Sequence, residues 1–355
     1  PPASRAPRPT GYDDLGRPLR TVPKPSPQPR RSRRRPLILL LLIALIGYFS
    51  FEAYAPYHAW STAARVPTAP DGDRPTSSGN TYLLVGSDSR EGLTRADQAK
   101  LGTGSDVGRR TDSIILVHVP SGGGKSALIS IPRDSFLPIP GHGQNKVNAA
   151  FAIGGPKLLV ETLEQATGLR IDGYVEIGFG GFARVVDALG GVRICVPFDM
   201  NDKDAHINLK KGCQTLNGKN ALGFVRARKS DPRGDIGRAE RQRQFLAAIF
   251  KQAATVGTVA NPSRWWSFTH ASVSGLTVGE DTSMLDAFRV VRTMQGASND
   301  EALSMVVPLS NVNATTSAGS SVLWDDAAAG QLFTMLRNGD PLEAPPAGTD
   351  GKPSG

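Results

Sequence analysis

Apolar and polar positions along the chain follow two periods, about 2 and about 3.6, and their order predicts the fold. Residues 81–85 (Thr-Tyr-Leu-Leu-Val), 113–119, 127–131, 173–177 and 192–196 are short apolar runs that read as strands. Ser121-Gly-Gly-Gly-Lys125 reads as a hairpin turn joining the second and third of them. Residues 157–167, stopped by Gly168, and 182–189, stopped by Gly190-Gly191, carry helical spacing, as does the stretch from Arg238 to about Ala254. Residues 284–294, 303–307 and 327–336 continue the alternation. Val225-Arg-Ala-Arg228 reads as extended, with Arg226 and Arg228 on one face. The alternation predicts an α/β fold over residues 80–339, a three-layer αβα sandwich with a central mixed sheet.

The flanks differ in character. Residues 1–35 are rich in Pro and Arg and nearly free of apolar side chains, the composition of a disordered tail. Arg30, Arg31, Arg33, Arg34 and Arg35 then abut the uncharged run Pro36–Phe51. With the following aromatics this run predicts one transmembrane helix, residues 36–56, whose basic flank stays in the cytoplasm. A cleaved signal peptide is the alternative; the long preceding tail and Pro56 directly after Ala53-Tyr-Ala55 count against it. Residues 57–79 read as a linker leading to an extracytoplasmic domain, and 340–355 as a disordered Pro/Gly tail.

Charge sharpens this division. Of the net +9, residues 1–35 carry +8, so the folded part is nearly neutral and offers no basic nucleic-acid surface. Cys195 and Cys213 are the two cysteines. Outside the cytoplasm they suit a disulfide; two free thiols are the alternative, and no His or Cys beside either supports a metal site.

Against that neutral background the middle of the chain concentrates guanidiniums. Arg238, Arg241 and Gln242 fall on one helical face, near Arg226 and Arg228. Planar forks gathered this way suit the oxygens of a phosphate-bearing ligand. A hairpin centred on Gly122-Gly123 sets Asp112 across from Arg133, and an antiparallel first strand brings Asp88 to the same rim, beside Asp134. Two carboxylates beside arginines are what a Mg²⁺–pyrophosphate site requires; a solvated ion-pair network is the plainer reading. Gly124-Lys125-Ser126 lacks the earlier glycine of a phosphate-cradling loop, and Gly178-Phe-Gly180-Gly-Phe-Ala183 is a lone, weak dinucleotide match.

Eight segments occur in order: Leu83-Leu-Val-Gly-Ser-Asp88-Ser-Arg90, Arg110-Thr-Asp112-Ser-Ile, Ser130-Ile-Pro-Arg133-Asp134, Lys146-Val-Asn148-Ala-Ala-Phe151, Asp187-Ala-Leu-Gly-Gly191-Val, Leu216-Asn-Gly218-Lys-Asn-Ala-Leu222, Val225-Arg-Ala-Arg228 and Asp235-Ile-Gly-Arg238-Ala-Glu-Arg241-Gln242. Together they resemble the LytR–CpsA–Psr family of cell-wall glycopolymer ligases, of actinobacterial type. One departure is Arg243, where that family often has a second Gln. The resemblance implies a membrane-bound phosphotransferase that moves a glycopolymer from a polyprenyl-pyrophosphate carrier to a muramic-acid hydroxyl of peptidoglycan. Arabinogalactan is favoured over teichoic acid or capsule. By the same resemblance Asp88 and Asp112 hold Mg²⁺ or assist deprotonation. Arg133, Arg226, Arg228 and Arg238 grip the pyrophosphate, with Lys146, Arg241 and Gln242 in support. Apolar faces at residues 158–163, 182–189 and 245–250 are candidates for lining a lipid tunnel. A polyprenyl-pyrophosphate hydrolase and a non-catalytic membrane-bound regulatory or polyanion-binding protein are the competing readings.

Overall fold

The computed structural model describes residues 34–88, 111–227, 255–297 and 299–353, with isolated positions within 11–17 and 230–253; of 34–37, Asp112 and Val256 only the backbone is described. The chain divides into Pro1–Tyr48 and Phe49–Gly355. Helix α1 (Arg34–Ser61) contains Ile38–Ser61, 24 residues long and apolar enough to cross a membrane by length and composition.

In the second unit, strands β1 (Ala64–Val66), β2 (Asn80–Ser87), β3 (Thr111–Val119), β4 (Ala127–Ile131), β5 (Phe136–Ile139), β6 (Gly143–Lys146), β7 (Gly173–Ile177), β8 (Val192–Val196), β9 (Met200–Asp202), β10 (Ile207–Leu209), β11 (Gly212–Leu216), β12 (Leu276–Gly279), β13 (Leu303–Val306), β14 (Leu309–Thr316) and β15 (Gly319–Trp324) alternate with helices. These are α2 (Val147–Thr167), α3 (Phe179–Ala188), α4 (Gly218–Arg226), α5 (Val256–Val259), α6 (Pro262–Ser274), α7 (Met284–Ala297) and α8 (Asp326–Asn338). The central sheet has the order β1-β12-β7-β2-β3-β4-β13. It is mixed: β2 runs parallel to β7 and antiparallel to β3, and β4 runs antiparallel to β3 and parallel to β13.

Period-two alternation divides the side chains between the faces. Leu83, Val85, Ile114, Leu116 and Ile129 turn into the main core, where α2 (Leu159, Val160, Leu163) and α8 (Leu332, Phe333, Leu336) cover them. Tyr82, Leu84, Ile115 and Val117 point to the other face, toward Val290 and Met294 of α7. Helices thus flank both faces, the expected three-layer arrangement. A second core gathers Val186 of α3, Ile194 of β8, Ile207 of β10, Phe224 of α4 and Phe245.

Four local readings differ from the structure. Residues 218–226 are helical, so Arg226 sits in a last helical turn and not in a strand. Asn217 caps that helix by accepting from the Asn220 N–H at 3.0 Å, and a four-residue alternation at a helix end mimics a strand. Helix α2 begins ten residues before the expected Lys157; Gly155 (φ 65°) followed by Pro156 kinks it and hides the continuity. Ala64–Val66, inside the expected linker, pairs parallel with β12 at the sheet edge. In the expected tail, Leu342 is buried, its carbonyl accepts from the Lys125 N–H at 2.8 Å, and the Thr349 carbonyl accepts from Val306.

His118 lies in the sheet interior, hydrogen-bonded to Thr81 Oγ1 at 3.0 Å. Burial disfavours the imidazolium and lowers its pKa to about 4. The unfolded chain, with a pKa of about 6.5, therefore takes up this proton first. The contribution is complete above pH 6.5 and lost as pH falls toward 4, amounting to roughly 3 kcal/mol at most. Urea unfolding midpoints should fall across that window in the native chain and be flatter in His118→Gln.

Candidate active site

One edge of the sheet collects the ends of four strands. Ser87, last in β2, pairs with Thr111, first in β3, across an irregularity at Gly86. Asp88 follows Ser87 and Asp112 follows Thr111, so the backbone brings the two acidic positions to this edge. The β3–β4 register runs from Ile114↔Ile131 to His118↔Ala127, as the Gly122-Gly123 turn predicts. Pairing stops at Ile131, because Pro132 has no N–H to continue the ladder. Arg133 is therefore not the strand partner of Asp112; it stands on the following turn at the same edge. The Arg133 carbonyl accepts from the Asn148 N–H at 3.1 Å, tying that turn to the start of α2. Arg133 Nε faces Asp134 Oδ2 at 3.4 Å, and Lys146 Nζ lies 3.1 Å from Asp134 Oδ1.

Beneath this edge lies a cavity of about 680 Å³. Its floor is the second face of the sheet (Leu84, Ile115, Val175, Ile177), and its walls include Phe179 and Phe182 of α3, Leu222 and Val225 of α4, Phe245, and Ala287, Val290 and Met294 of α7. Polar groups gather among Ser87, Ser113, Arg133, Arg226, Asp202 and Asp204. The Arg226 guanidinium rests over the Phe179 ring, 4.5 Å from its centroid, and Phe182 stacks on Phe245 at 4.8 Å. The cavity is thus apolar within and charged at its rim.

Of the residues expected to meet here, Arg133 and Arg226 line the cavity. Arg241 is buried, and its guanidinium donates to the Phe224 carbonyl (Nε, 3.1 Å) and the Ala227 carbonyl, so it holds the end of α4 that carries Arg226. Arg228, Arg238 and Gln242 lie outside the described residues, as does the side chain of Asp112. Phe182 and Phe245 line the cavity, but Leu159 and Leu163, expected as tunnel lining, belong to the main core. Asp202 and Asp204 were not anticipated; an Asp-Lys-Asp run at a tight turn was the available signal. Asp202 Oδ1 accepts from the N–H groups of Asp204 and Ala205, both at 3.1 Å, which orders that turn. The Gly178–Ala183 glycines serve packing: a Cβ on Gly181 would lie 2.1 Å from the Gly275 carbonyl oxygen, so only glycine lets α3 and the end of α6 approach.

Cys195 and Cys213 face each other in the β8–β11 ladder and are disulfide-bonded. The bond closes the loop that carries Asp202 and Asp204. Closing a loop of 18 residues contributes roughly 3 kcal/mol by chain entropy. The Cys195→Ser/Cys213→Ser pair should lower stability by about that amount in denaturant titration, with reduction of the native chain giving the same loss.

The described residues form an α/β domain in which charged side chains of both signs meet an apolar cavity. The chain belongs to the LytR_cpsA_psr family, whose model matches residues 56–317. It is 43% identical over 274 residues (77% of this chain, 64% of the relative) to the probable cell wall biosynthesis protein LcpB of Corynebacterium glutamicum. It is 37% identical over 187 residues (50% of this chain, 52% of the relative) to the polyisoprenyl-teichoic acid–peptidoglycan teichoic acid transferase TagU of Oceanobacillus iheyensis. The chain therefore spans less than two thirds of these relatives' lengths. A solved structure of TagT bound to LI-WTA superposes with a TM-score of 0.54 at 24% identity, covering 78% of this chain and 99% of that one, and shows the shared fold.

Proposed function

We propose that this chain is a phosphotransferase that moves a glycopolymer from a polyprenyl-pyrophosphate carrier to a muramic-acid hydroxyl of peptidoglycan, outside the cytoplasm. The carrying observation is the apolar cavity ending at a rim that bears Arg133 and Arg226. A polyprenyl tail requires such an interior, and a pyrophosphate requires such a mouth. The acceptor oxygen attacks the phosphorus bonded to the sugar. The bond from that phosphorus to the bridging oxygen breaks, polyprenyl phosphate departs, and the acceptor's proton passes to Asp88 or to solvent. Arg133, Arg226, Arg228 and Arg238 neutralise charge developing on the phosphoryl oxygens, and no covalent nucleophile is needed.

Among the described residues no group of three or more His, Cys, Asp or Glu is placed to hold a metal. Mg²⁺ bound to a pyrophosphate needs only one or two protein carboxylates, the remainder being phosphate oxygens and water. Asp88 and Asp112 supply that number and would hold the ion, which would supply positive charge at the phosphates. The Corynebacterium relative supports an actinobacterial wall polymer, and we favour arabinogalactan.

The test combines the full chain, a lipid-linked glycan, peptidoglycan fragments and Mg²⁺. A phosphodiester-linked glycan on muramic acid with release of polyprenyl phosphate supports transfer. Glycan phosphate alone would identify a hydrolase, and binding without turnover a non-catalytic role. Asp112→Ala is expected to raise the Mg²⁺ concentration for half-activity by more than about tenfold; an unaltered titration would remove Asp112 from the ion site.

A further inference from the structure

Asp88 leaves β2 at a point where the backbone ladder alone constrains the strand weakly. On one side the β2–β7 ladder ends at Gly86↔Ile177, and the next residue of that chain, Gly178, already caps α3. On the other side the Ser87↔Thr111 rung follows an irregularity in the β2–β3 register. Side chains take over there. The Ser87 hydroxyl donates to Glu176 Oε1 at 2.6 Å, and the Tyr174 hydroxyl donates to Glu176 Oε2 at 2.8 Å. Glu176 itself is held in the sheet between Val85 of β2 and Thr277 of β12.

Period two sets the face on which this network lies. Ser87 follows Leu83 and Val85 by even steps, and Glu176 follows Tyr174, so their side chains turn to the main-core face. Val175 and Ile177, between and beyond them, line the cavity on the other face. Glu176 is therefore separated from the cavity by the sheet and reaches the site only through Ser87, which borders the cavity and precedes Asp88. Ser87 and Glu176 are each 2% exposed and Tyr174 is fully buried. A carboxylate so deeply placed is costly, and an apolar side chain of similar volume would serve the core better if packing were its whole role.

We propose that Glu176 is a positioning residue for the transfer reaction: through Ser87 it fixes the end of β2, and with it the place from which Asp88 meets the rim. Tyr174 holds the second oxygen and so stops the carboxylate from turning away from Ser87. The two hydrogen bonds extend the β2–β7 connection one residue past the last backbone rung. A site of this kind depends on such supporting contacts, because a small displacement of a reacting group costs rate even where binding is intact. The proposal rests on the reading of Asp88 as a group that assists the transfer.

The test measures kcat and KM for the lipid-linked glycan, with peptidoglycan fragments and Mg²⁺, in the full chain and in Ser87→Ala, Glu176→Ala, their double variant, Glu176→Gln and Asp88→Ala. Melting curves are recorded alongside. Ser87→Ala and Glu176→Ala should each lower kcat by about tenfold or more. KM should stay within about twofold, because the cavity contacts lie on the other face of the sheet. The double variant should be no slower than the slower single one, since both break the same link. Glu176→Gln, whose amide accepts from one hydroxyl and donates to the other, should return kcat to within about threefold of native. A Glu176→Ala chain that melts lower yet keeps the native kcat overturns the proposal, as do losses that multiply in the double variant. Should Glu176→Ala fail to fold, Ser87→Ala decides alone, and a native kcat there overturns it. Slow turnover in Asp88→Ala beside native rates in the Ser87 and Glu176 variants removes only the positioning role. Native turnover in Asp88→Ala removes Asp88 from the chemistry and this proposal with it, and no transfer by the native chain overturns both the proposal and the function it rests on.

Discussion

Arg133→Ala is expected to lower release of polyprenyl phosphate by about 10³-fold, the scale on which removal of a phosphate-facing guanidinium acts in phosphoryl transfer. Arg133 stands on the turn after Pro132 and lines the cavity at the sheet edge where β2 and β3 bring Asp88 and Asp112. Arg133 Nε lies 3.4 Å from Asp134 Oδ2, and both side chains are about one third exposed. A pair that exposed contributes little to folding, so the melting temperature should change little while turnover collapses. Parallel measurement of initial rate and melting curve checks this. Near-normal turnover would remove the rim from the chemistry.

Ala287→Trp is expected to discriminate by tail length. Ala287 lines the cavity from α7 and is only partly buried, so a larger side chain can be accommodated without breaking the main core. An indole there occupies space that the distal tail would fill. Losing two or three buried methylenes, roughly 2 kcal/mol, raises KM for a long-chain carrier about 30-fold. A carrier short enough to end before Ala287 should be turned over within about twofold of the native rate. Comparing kcat/KM for the two carriers gives the result. Equal losses for both would mean that the tail does not run along α7.

Strands β2, β3, β4, β7 and β8 were legible from their largely apolar runs, whereas short strands such as β1, β9 and β10 were not, and the β3–β4 register followed from the position of the Gly-rich turn. Legibility failed where local signals compete. Val225-Arg-Ala-Arg228 alternates like a strand, yet Asn217 caps a helix that runs through Arg226. Gly155 and Pro156 broke the reading of α2, although packing carries the helix across the kink. The cavity walls were only half visible. Phe182 and Phe245 were among the expected lining, but Leu159 and Leu163 have the same periodicity and pack in the main core.

By itself the sequence determined an apolar run long enough to cross a membrane, the alternation of strand and helix, the family motifs and the concentration of arginines in the middle of the chain. Each is encoded by neighbours within a few positions, where side-chain period and turn chemistry act. Only the tertiary structure decided that Arg241 holds backbone carbonyls inside the domain, that Asp202 and Asp204 reach the cavity, and that α7 covers the second sheet face. Those facts depend on contacts between residues distant in sequence. An apolar or charged side chain has the same local pattern whether it packs in the core or lines a cavity, so its role is set by what the fold brings against it.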